Sequence, residues 1–153
     1  MIKECIHLFK YRNKLSLLKP LSKLMVAFAR SSLDMKKVDL ILPVPLHRVK
    51  QRQRQFNQAN LLAKALSCAF TKPVLDKQLM RIKSGPAQVN LSQAQRLKNV
   101  QDAFKVKNAR LVNNKNILLV DDVFTTGATV NECAKVLVRA GANRVDVLSL
   151  ARS

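Results

Sequence analysis

The sequence predicts an α/β protein in which a mostly parallel sheet is flanked by helices. Short apolar segments that suit buried strands alternate along the chain with amphipathic segments that suit helices. Polar motifs directly follow two of these strands, at 43–48 and 121–129. Because the carboxyl ends of parallel strands share one edge of a sheet, both motifs are expected at a common ligand-binding edge. With 153 residues, 48% of them hydrophobic, the chain can form one domain with a sizeable core.

The N-terminal part is predicted to be a helical arm. A partly helical segment leads to a helix over 20–32, where Pro20 suits the first turn. Four apolar residues recur at the spacing of one helical face and are expected to form a buried stripe: Leu21, Leu24, Met25 and Phe28. We therefore divide the chain into an arm, 1–36, that packs on a main domain, 37–153, as one structural unit.

The main domain alternates strands with helices. Strands are predicted over 38–44, 115–121 and 144–151, and helices over 56–70 and 127–140. Three segments are less regular: 74–82 is a strand or an irregular piece, 82–90 is a loop around Gly85 and Pro86, and 91–100 is a short helix. Gly141 stands where a helix C-terminal cap is expected. Cys133 falls on the apolar stripe of its helix and is predicted to be core.

The charge of the chain indicates polyanion partners. There are 28 Lys and Arg residues against nine acids, for a net charge of +19. Nucleic acid, a phosphorylated small molecule or an anionic membrane surface would suit it. No apolar stretch reaches the roughly 18 residues of a membrane span, and the N-terminus does not resemble a signal peptide. The three cysteines lie far apart without a Cys-x₂-Cys pair, which predicts no zinc site and a reducing, cytoplasmic location.

The stretch with the most specific chemistry is DDVFTTGAT, which joins a predicted strand to a predicted helix. Its first half, Asp121 and Asp122, suits sugar hydroxyls or a hard cation such as Mg²⁺. Its second half suits an anion, because backbone N–H groups at a helix start point outward and threonine hydroxyls add donors. The residues of this second half are Thr125, Thr126, Gly127, Ala128 and Thr129. A phosphorylated ribose, with a phosphate at one end and a diol at the other, satisfies both halves.

Other protein classes fit this stretch less well. Receiver domains also place an acidic pair at a strand end, but at their first strand, whereas only 31 residues follow Asp122. A P-loop nucleotide triphosphatase is excluded because the chain lacks G-x-x-x-x-G-K-[ST]. Aspartate at a strand end and threonine at a helix N-cap each have common structural roles. Their combination here favours the functional interpretation.

The segment LLVDDVFTTGAT resembles the phosphoribosyl pyrophosphate (PRPP) fingerprint of type I phosphoribosyltransferases. The resemblance implies a Rossmann-like type I phosphoribosyltransferase fold. It also implies that Asp121 and Asp122 contact the ribose hydroxyls with Mg²⁺ nearby, and that Thr125 to Thr129 cradle the 5-phosphate. Together with this fingerprint, the segments 40–66, 87–104 and 140–152 resemble the ComF family, in the same order.

The ComF family is associated with natural competence and DNA uptake. The resemblance implies that the partners of the chain are PRPP or a related phosphorylated ribose, single-stranded DNA and the competence DNA-translocation machinery. A homodimer is left open. The sequence departs from the family in two places: it lacks the N-terminal cysteine zinc ribbon of many members, and the frequent Arg-Gly-Phe-Asn-Gln motif has Gln55 in place of its glycine.

The first strand ends in the motif PVPLHR. In related transferases this position binds pyrophosphate, often through a cis peptide, which assigns the role to Pro43, Val44, Pro45, Leu46 and Arg48. Proline lowers the cost of a cis bond to ~0.5–1 kcal/mol, so Pro45 could hold one in a compact turn. The alternative is that the prolines only end the strand.

Two more basic segments have candidate roles. The segment 47–55 has cations at alternate positions, and along one edge of an extended chain they would suit the phosphates of a single nucleic acid strand: Arg48, Lys50, Arg52 and Arg54. The segment 81–96 matches the position of the mobile catalytic loop in related transferases, and its Arg81, Lys83 and Arg96 could neutralise pyrophosphate. For each segment, an ordinary solvated basic loop is the alternative.

The sequence leaves catalytic turnover open. Some purine-salvage relatives place a carboxylate base where this chain has Thr125, and no aromatic platform for a nucleobase is evident. The leading hypothesis is a cytoplasmic ComF-like protein that binds PRPP with Mg²⁺ and acts in the uptake of DNA. An active metabolic phosphoribosyltransferase with an unidentified acceptor is the second hypothesis, and a pure DNA-binding module is the third.

Overall fold

The computed structural model describes residues 15–47, 51, 56–83 and 99–152. The helices of this part are α1 (Leu18–Ser32), α2 (Gln58–Phe70) and α3 (Ala128–Arg139). The strands are β1 (Leu40–Pro43), β2 (Leu79–Arg81), β3 (Phe104–Val106), β4 (Asn116–Phe124) and β5 (Arg144–Arg152). Short 3₁₀ turns occur at Leu15–Leu17, Met35–Lys37 and Ala109–Leu111.

The central sheet is parallel, with strand order β1–β4–β5. Leu40 lies opposite Ile117, and Asn116 lies opposite Arg144, so the three strands start near one edge and end near the other. A single bridge from Ile41 to Val74 extends the outer side of β1. β2 and β3 form a separate antiparallel ribbon. The predicted α/β fold with a mostly parallel sheet is confirmed.

Two hydrophobic cores fill the two faces of the sheet, because successive side chains of a strand point to opposite sides. On β4, Ile117 and Leu119 pack with α3 and the β2–β3 ribbon. Leu118 and Val120 pack with α1 and α2 on the other face. Helices on both faces explain why β1 and the first half of β4 are apolar without alternation.

The buried stripe of α1 differs from the prediction. Leu21 and Met25 are buried as expected, but Leu24 and Phe28 are each 55% exposed, and Ala29 completes the buried face instead. The helix packs against α2 and β5 along a line of residues four apart. The small Ala29 permits close approach at the point where Phe28 was expected. Pro20 lies in the first turn, as predicted.

Several element boundaries also differ. β4 continues three residues beyond the predicted end at 121, so Asp122 and Phe124 still belong to the strand. β1 is shorter than predicted because the turn Met35–Lys37 precedes it. β3 was not predicted; its pairing with β2 makes the irregular segment 74–82 partly a strand. The segment 84–98, which holds most of the predicted loop and short helix, lies outside the described residues.

Two local predictions are confirmed. Gly141 follows α3 with φ +94°, a left-handed conformation that suits a residue just past a helix end. Cys133 is fully buried. None of the described helices is long and apolar enough to cross a membrane. The division into an arm and a main domain stays a prediction.

Candidate functional site

The predicted phosphate loop is a three-residue connection between β4 and α3. Thr125, Thr126 and Gly127 leave the strand, and Gly127 is the N-cap of α3 with φ +76°. The carbonyl of Gly127 accepts the first helical hydrogen bond, from the N–H of Asn131 at 2.8 Å. Gly127 has no side chain to cap the helix, and the Thr126 hydroxyl oxygen accepts from the Ala128 N–H at 3.4 Å. The N–H groups of Thr129 and Val130 in the first turn have no partner within the helix, so this end of α3 offers donors to an anion.

The aromatic ring of Phe124 packs against the loop between β4 and α3. A Cβ atom placed on Gly127 would lie only 2.7 Å from Cζ of Phe124, so this ring packs directly against the loop backbone. Phe124 is opposite Arg152 in the sheet, and the guanidinium carbon of Arg152 lies 5.7 Å from the ring centroid. Phe124 had no assigned role in the sequence interpretation. Its position between the acidic pair and the glycine was the only available signal.

The two carboxylates lie on opposite sides of β4, because neighbouring residues of a strand alternate. Asp121 lies on the side of α3. Burial raises the pKa of the Cys133 thiol in that helix, and the nearby Asp121 carboxylate raises it further. Asp122 lies on the side of α1 and α2 and is only 8% exposed. The Asp121 Oδ1 accepts a hydrogen bond from the Asp122 backbone N–H at 2.8 Å. A ligand beyond the strand end could therefore be approached from two sides.

The acidic pair suits a magnesium ion that is bound jointly by the protein and a ligand, rather than a metal site formed by protein side chains alone. The described residues contain no group of three or more His, Cys, Asp or Glu that could hold a metal. Mg²⁺ is commonly bound through one or two carboxylates together with substrate phosphates and water. Asp121 and Asp122 match that type of site.

The end of β1 lies beside the end of β4. The Val44 N–H donates to the carbonyl of Val120 at 2.8 Å, and the Val44 carbonyl accepts from Nδ2 of Asn57 at 3.0 Å. Asn57 also caps α2 by accepting from the Ala59 N–H. The described residues contain no cis peptide bond, so Pro45 follows a trans bond, and the cis peptide suggested for this position is not present. The predicted pyrophosphate segment from Pro43 to Leu46 is thus anchored next to the acidic strand end.

Gln58, the first residue of α2, adds a feature that the sequence analysis missed. It is 1% exposed, and its Nε2 has no hydrogen-bond partner. A buried amide without a partner is unfavourable unless a ligand or a conformational change supplies one. Its place in the Phe-Asn-Gln motif, directly after the residue that anchors Val44, was a usable signal.

The β2–β3 ribbon places two of the three predicted mobile-loop cations. Arg81 is half-buried, and its guanidinium carbon lies 5.6 Å from the ring centroid of Phe104. Burial lowers the pKa of this guanidinium. The Lys83 Nζ donates to the Gln101 carbonyl at 3.2 Å, which joins the two sides of the ribbon where 84–98 departs.

Glu132 ties the ribbon to α3. This carboxylate is 7% exposed, and its Oε1 accepts from the Asp102 N–H at 3.2 Å. The exposed Lys135 Nζ lies 3.4 Å from Oε2. Asp102, two residues before the start of β3, has a left-handed backbone with φ +52°. Glu132 lies off the apolar stripe predicted for this helix, so no local pattern of the sequence indicated its burial.

The structure brings the acidic pair, the phosphate loop and the Pro43–Leu46 segment to one edge of the sheet. The remaining candidate residues lie outside the described part of the chain: Arg48, Lys50, Arg52, Arg54 and Arg96. Their predicted roles in pyrophosphate and DNA binding stay predictions.

Comparison with known proteins gives one family and several relatives. The model of the phosphoribosyl transferase domain matches residues 56–153. The chain is 34% identical to competence protein F of Haemophilus influenzae over 152 residues, which cover 97% of this chain and 66% of that protein. It is 33% identical to the DNA utilization protein YhgH of Escherichia coli O157:H7, with the same two coverages. The chain thus spans about two thirds of the length of these relatives.

Among solved structures, adenine phosphoribosyltransferase from Saccharomyces cerevisiae superposes with a TM-score of 0.60. The aligned region covers 94% of this chain and 72% of that enzyme, at 14% sequence identity. At that identity the likeness concerns the fold alone. The resemblance to competence proteins that the sequence motifs indicated is confirmed by the curated relatives.

Proposed function

We propose a function for this chain, which belongs to the phosphoribosyl transferase domain family and is a homologue of competence protein F. It binds PRPP, or a closely related phosphorylated ribose, together with Mg²⁺. It acts in the handling of DNA during uptake, in the cytoplasm, in contact with single-stranded DNA and the DNA-translocation machinery. Because the chain spans 66% of competence protein F, the activity of a longer protein is part of this proposal.

The observation that carries the ligand proposal is the junction of β4 and α3. A buried strand carries two carboxylates near its end, and five residues after Asp122 a left-handed glycine is the N-cap of the next helix. In this proposal the helix start and the hydroxyls of Thr126 and Thr129 hold the 5-phosphate. Asp121 and Asp122 hold the ribose diol, and Mg²⁺, when bound, would neutralise charge on the pyrophosphate.

The segment after β1 would hold the pyrophosphate. Val44 is fixed to both neighbouring elements, by Val120 and by Asn57, so the backbone of Pro45 and Leu46 starts from a defined position. The unpartnered amide of Gln58 lies next to Asn57, at the start of α2. Arg48, Arg81, Lys83 and Arg96 would supply positive charge, as the sequence predicts.

Calorimetric titration of PRPP tests the ligand proposal. We expect binding in the micromolar range with Mg²⁺ and clearly weaker binding with EDTA, because the acidic pair would then repel the pyrophosphate. Binding to a folded wild type that is undetectable under both conditions would refute the proposal.

An active metabolic phosphoribosyltransferase is the second candidate. It is favoured by the β2–β3 ribbon, which holds Arg81 and Lys83 and is tied to α3 through Glu132. Release of pyrophosphate from PRPP on addition of a nucleobase or an amine would support turnover. PRPP binding without such release across both acceptor classes would favour the binding function.

A further inference from the structure

α1 carries a cationic surface that the phosphate-binding site does not use. Neither α1 nor α2 contains an aspartate or a glutamate. Three exposed cations of α1 lie on one flank, since Lys19 and Lys23 are one turn apart and Arg30 is two turns further. None of these three takes part in an ion pair within the described residues. Like charges in line on a helix repel each other, so a polyanion would relieve an unfavourable arrangement.

These cations border an open, shallow depression that is formed by α1 alone, and we call it the basic groove. Its lining consists of Lys19, Ser22, Lys23, Val26, Ala27 and Arg30. The floor is apolar, with a half-buried valine and an exposed alanine between the cationic side chains. Arg30 is held at one end, where its guanidinium carbon lies 5.8 Å from the ring centroid of Phe70 in α2. The groove thus combines an apolar surface with a row of positive charges.

We propose that the basic groove binds single-stranded DNA, and this inference rests on the DNA contact in the proposed function. A single strand presents both phosphates and unstacked bases, so it can use the cations and the apolar floor together. A duplex presents mainly phosphates on a convex surface and would leave the floor unused. Lys19 and Lys23 are about 6 Å apart along the helix axis, comparable with successive phosphates of an extended strand. The face of Arg30 away from Phe70 can also stack on a base.

The groove lies on a different face of the sheet from the phosphate-binding helix. α1 packs with α2 on one side, whereas α3 packs on the other. The chain could therefore hold a strand of DNA and a phosphorylated ribose at the same time. α1 is also a different part of the chain from the segment 47–55, for which the sequence analysis predicted DNA contacts.

A charge-matched pair of triple variants tests the proposal. The groove variant is Lys19→Gln/Lys23→Gln/Arg30→Gln, and glutamine preserves helix propensity. The control is Lys77→Gln/Lys107→Gln/Lys115→Gln, which removes three exposed lysines elsewhere. Binding of a fluorescent oligothymidylate is followed by anisotropy over a range of salt concentrations, with thermal melts to confirm folding.

We expect the groove variant to bind at least about tenfold more weakly at low salt. The slope of log K against log salt should fall by about 2, since each phosphate contact in a single strand contributes about 0.7. The control should change both quantities much less. Equal effects of the two triple variants would overturn the proposal, because they would show dependence on net charge alone.

A single substitution gives an independent test. Ala27→Glu places a carboxylate in the groove at an exposed position, and Ala27→Gln is its neutral match. We expect strong loss of oligothymidylate binding only for the glutamate. If both bind like wild type, or if the groove variants lose binding to anionic phospholipid vesicles but not to the oligonucleotide, the groove is not a DNA site. Failure of wild type to bind the oligonucleotide would also remove the DNA part of the proposed function, whereas PRPP titration tests the other part separately.

Discussion

Replacing Gly127 by alanine should damage the phosphate loop more than it damages the fold. A residue other than glycine at φ +76° costs about 1–2 kcal/mol. The new methyl group would also lie 2.7 Å from Cζ of Phe124, and overpacking of this kind costs about 1–3 kcal/mol. The ring cannot move freely, because it packs on the core and against Arg152. We expect a loss of at least about 2 kcal/mol, which is on the order of 4–8 °C in Tm for a chain of this size.

Gly141 provides a matched control at the other end of α3. It has φ +94°, and a Cβ there would collide with the Oδ1 of Asn113. Gly141→Ala should therefore destabilise the protein to a similar extent while it leaves the phosphate loop intact. Calorimetry should show that Gly127→Ala weakens PRPP binding at least tenfold, about 1.4 kcal/mol, and that Gly141→Ala does not.

A second substitution separates the cost of backbone strain at Gly127 from the cost of the collision with Phe124. In the Gly127→Ala background, Phe124→Leu removes the colliding ring but leaves the backbone strain. The double variant should recover part of the lost stability relative to the sum of the single variants, with a coupling of about 1 kcal/mol or more. Additive effects, or equal weakening of PRPP binding by Gly127→Ala and Gly141→Ala, would refute this account of the loop.

Three further predictions concern Cys133 and Glu132 of α3. In a Cys5→Ser background, Cys68 should react with a thiol reagent in the native state and Cys133 only after unfolding, as shown by labelling with and without urea; fast labelling of both would contradict the buried position. Burial raises the pKa of the Cys133 thiol above its ordinary 9.0, so this thiol ionises at lower pH in the unfolded protein than in the folded one. The contribution of Cys133 to stability is therefore complete below about pH 9 and declines above it. Urea melts at pH 8 and pH 10 should show this decline in wild type and a smaller one in Cys133→Ala. Glu132→Gln should lower the free energy of unfolding by about 1–2 kcal/mol, since it weakens the buried hydrogen bond from the Asp102 N–H. Lys135→Gln should lower it by less than about 0.5 kcal/mol. Equal losses of stability would mean that the hydrogen bond between Asp102 and Glu132 does not stabilise the fold.

The fold and the turn that joins β4 to α3 could be predicted from the sequence because their signals are local. The apolar runs around Ile41 and Leu119 indicate buried strands, and the alternation of strands with helices then favours a parallel sheet. Gly127 follows an acidic strand end and precedes a helix, so its conformation and its neighbours were implied by adjacent residues. The confirmed elements all have this property.

The predictions that were wrong concern features that depend on tertiary packing. In α1, the stripe through Phe28 and the stripe through Ala29 both satisfy helical spacing, and only contact with α2 and β5 selects the second. β3 has three residues, too few for their apolar–polar alternation to identify a strand, and it is stabilised by its pairing with β2. The Phe124 ring contacts Gly127 because the chain turns sharply between them. The hydrogen bond between Asp102 and Glu132 joins residues that are distant in the sequence. No local pattern encodes such contacts.

The most direct test of the central claim is calorimetric titration of PRPP with Mg²⁺ into wild type and an Asp121→Asn/Asp122→Asn variant. A matched variant, Asp39→Asn/Asp146→Asn, makes the same charge change near the amino-terminal ends of the strands. We expect micromolar binding by wild type and by the matched variant, and loss of binding by the Asp121→Asn/Asp122→Asn variant while its thermal melt still shows a folded protein. Equal binding by all three proteins, or none by a folded wild type, would contradict a ribose-phosphate site at the end of β4.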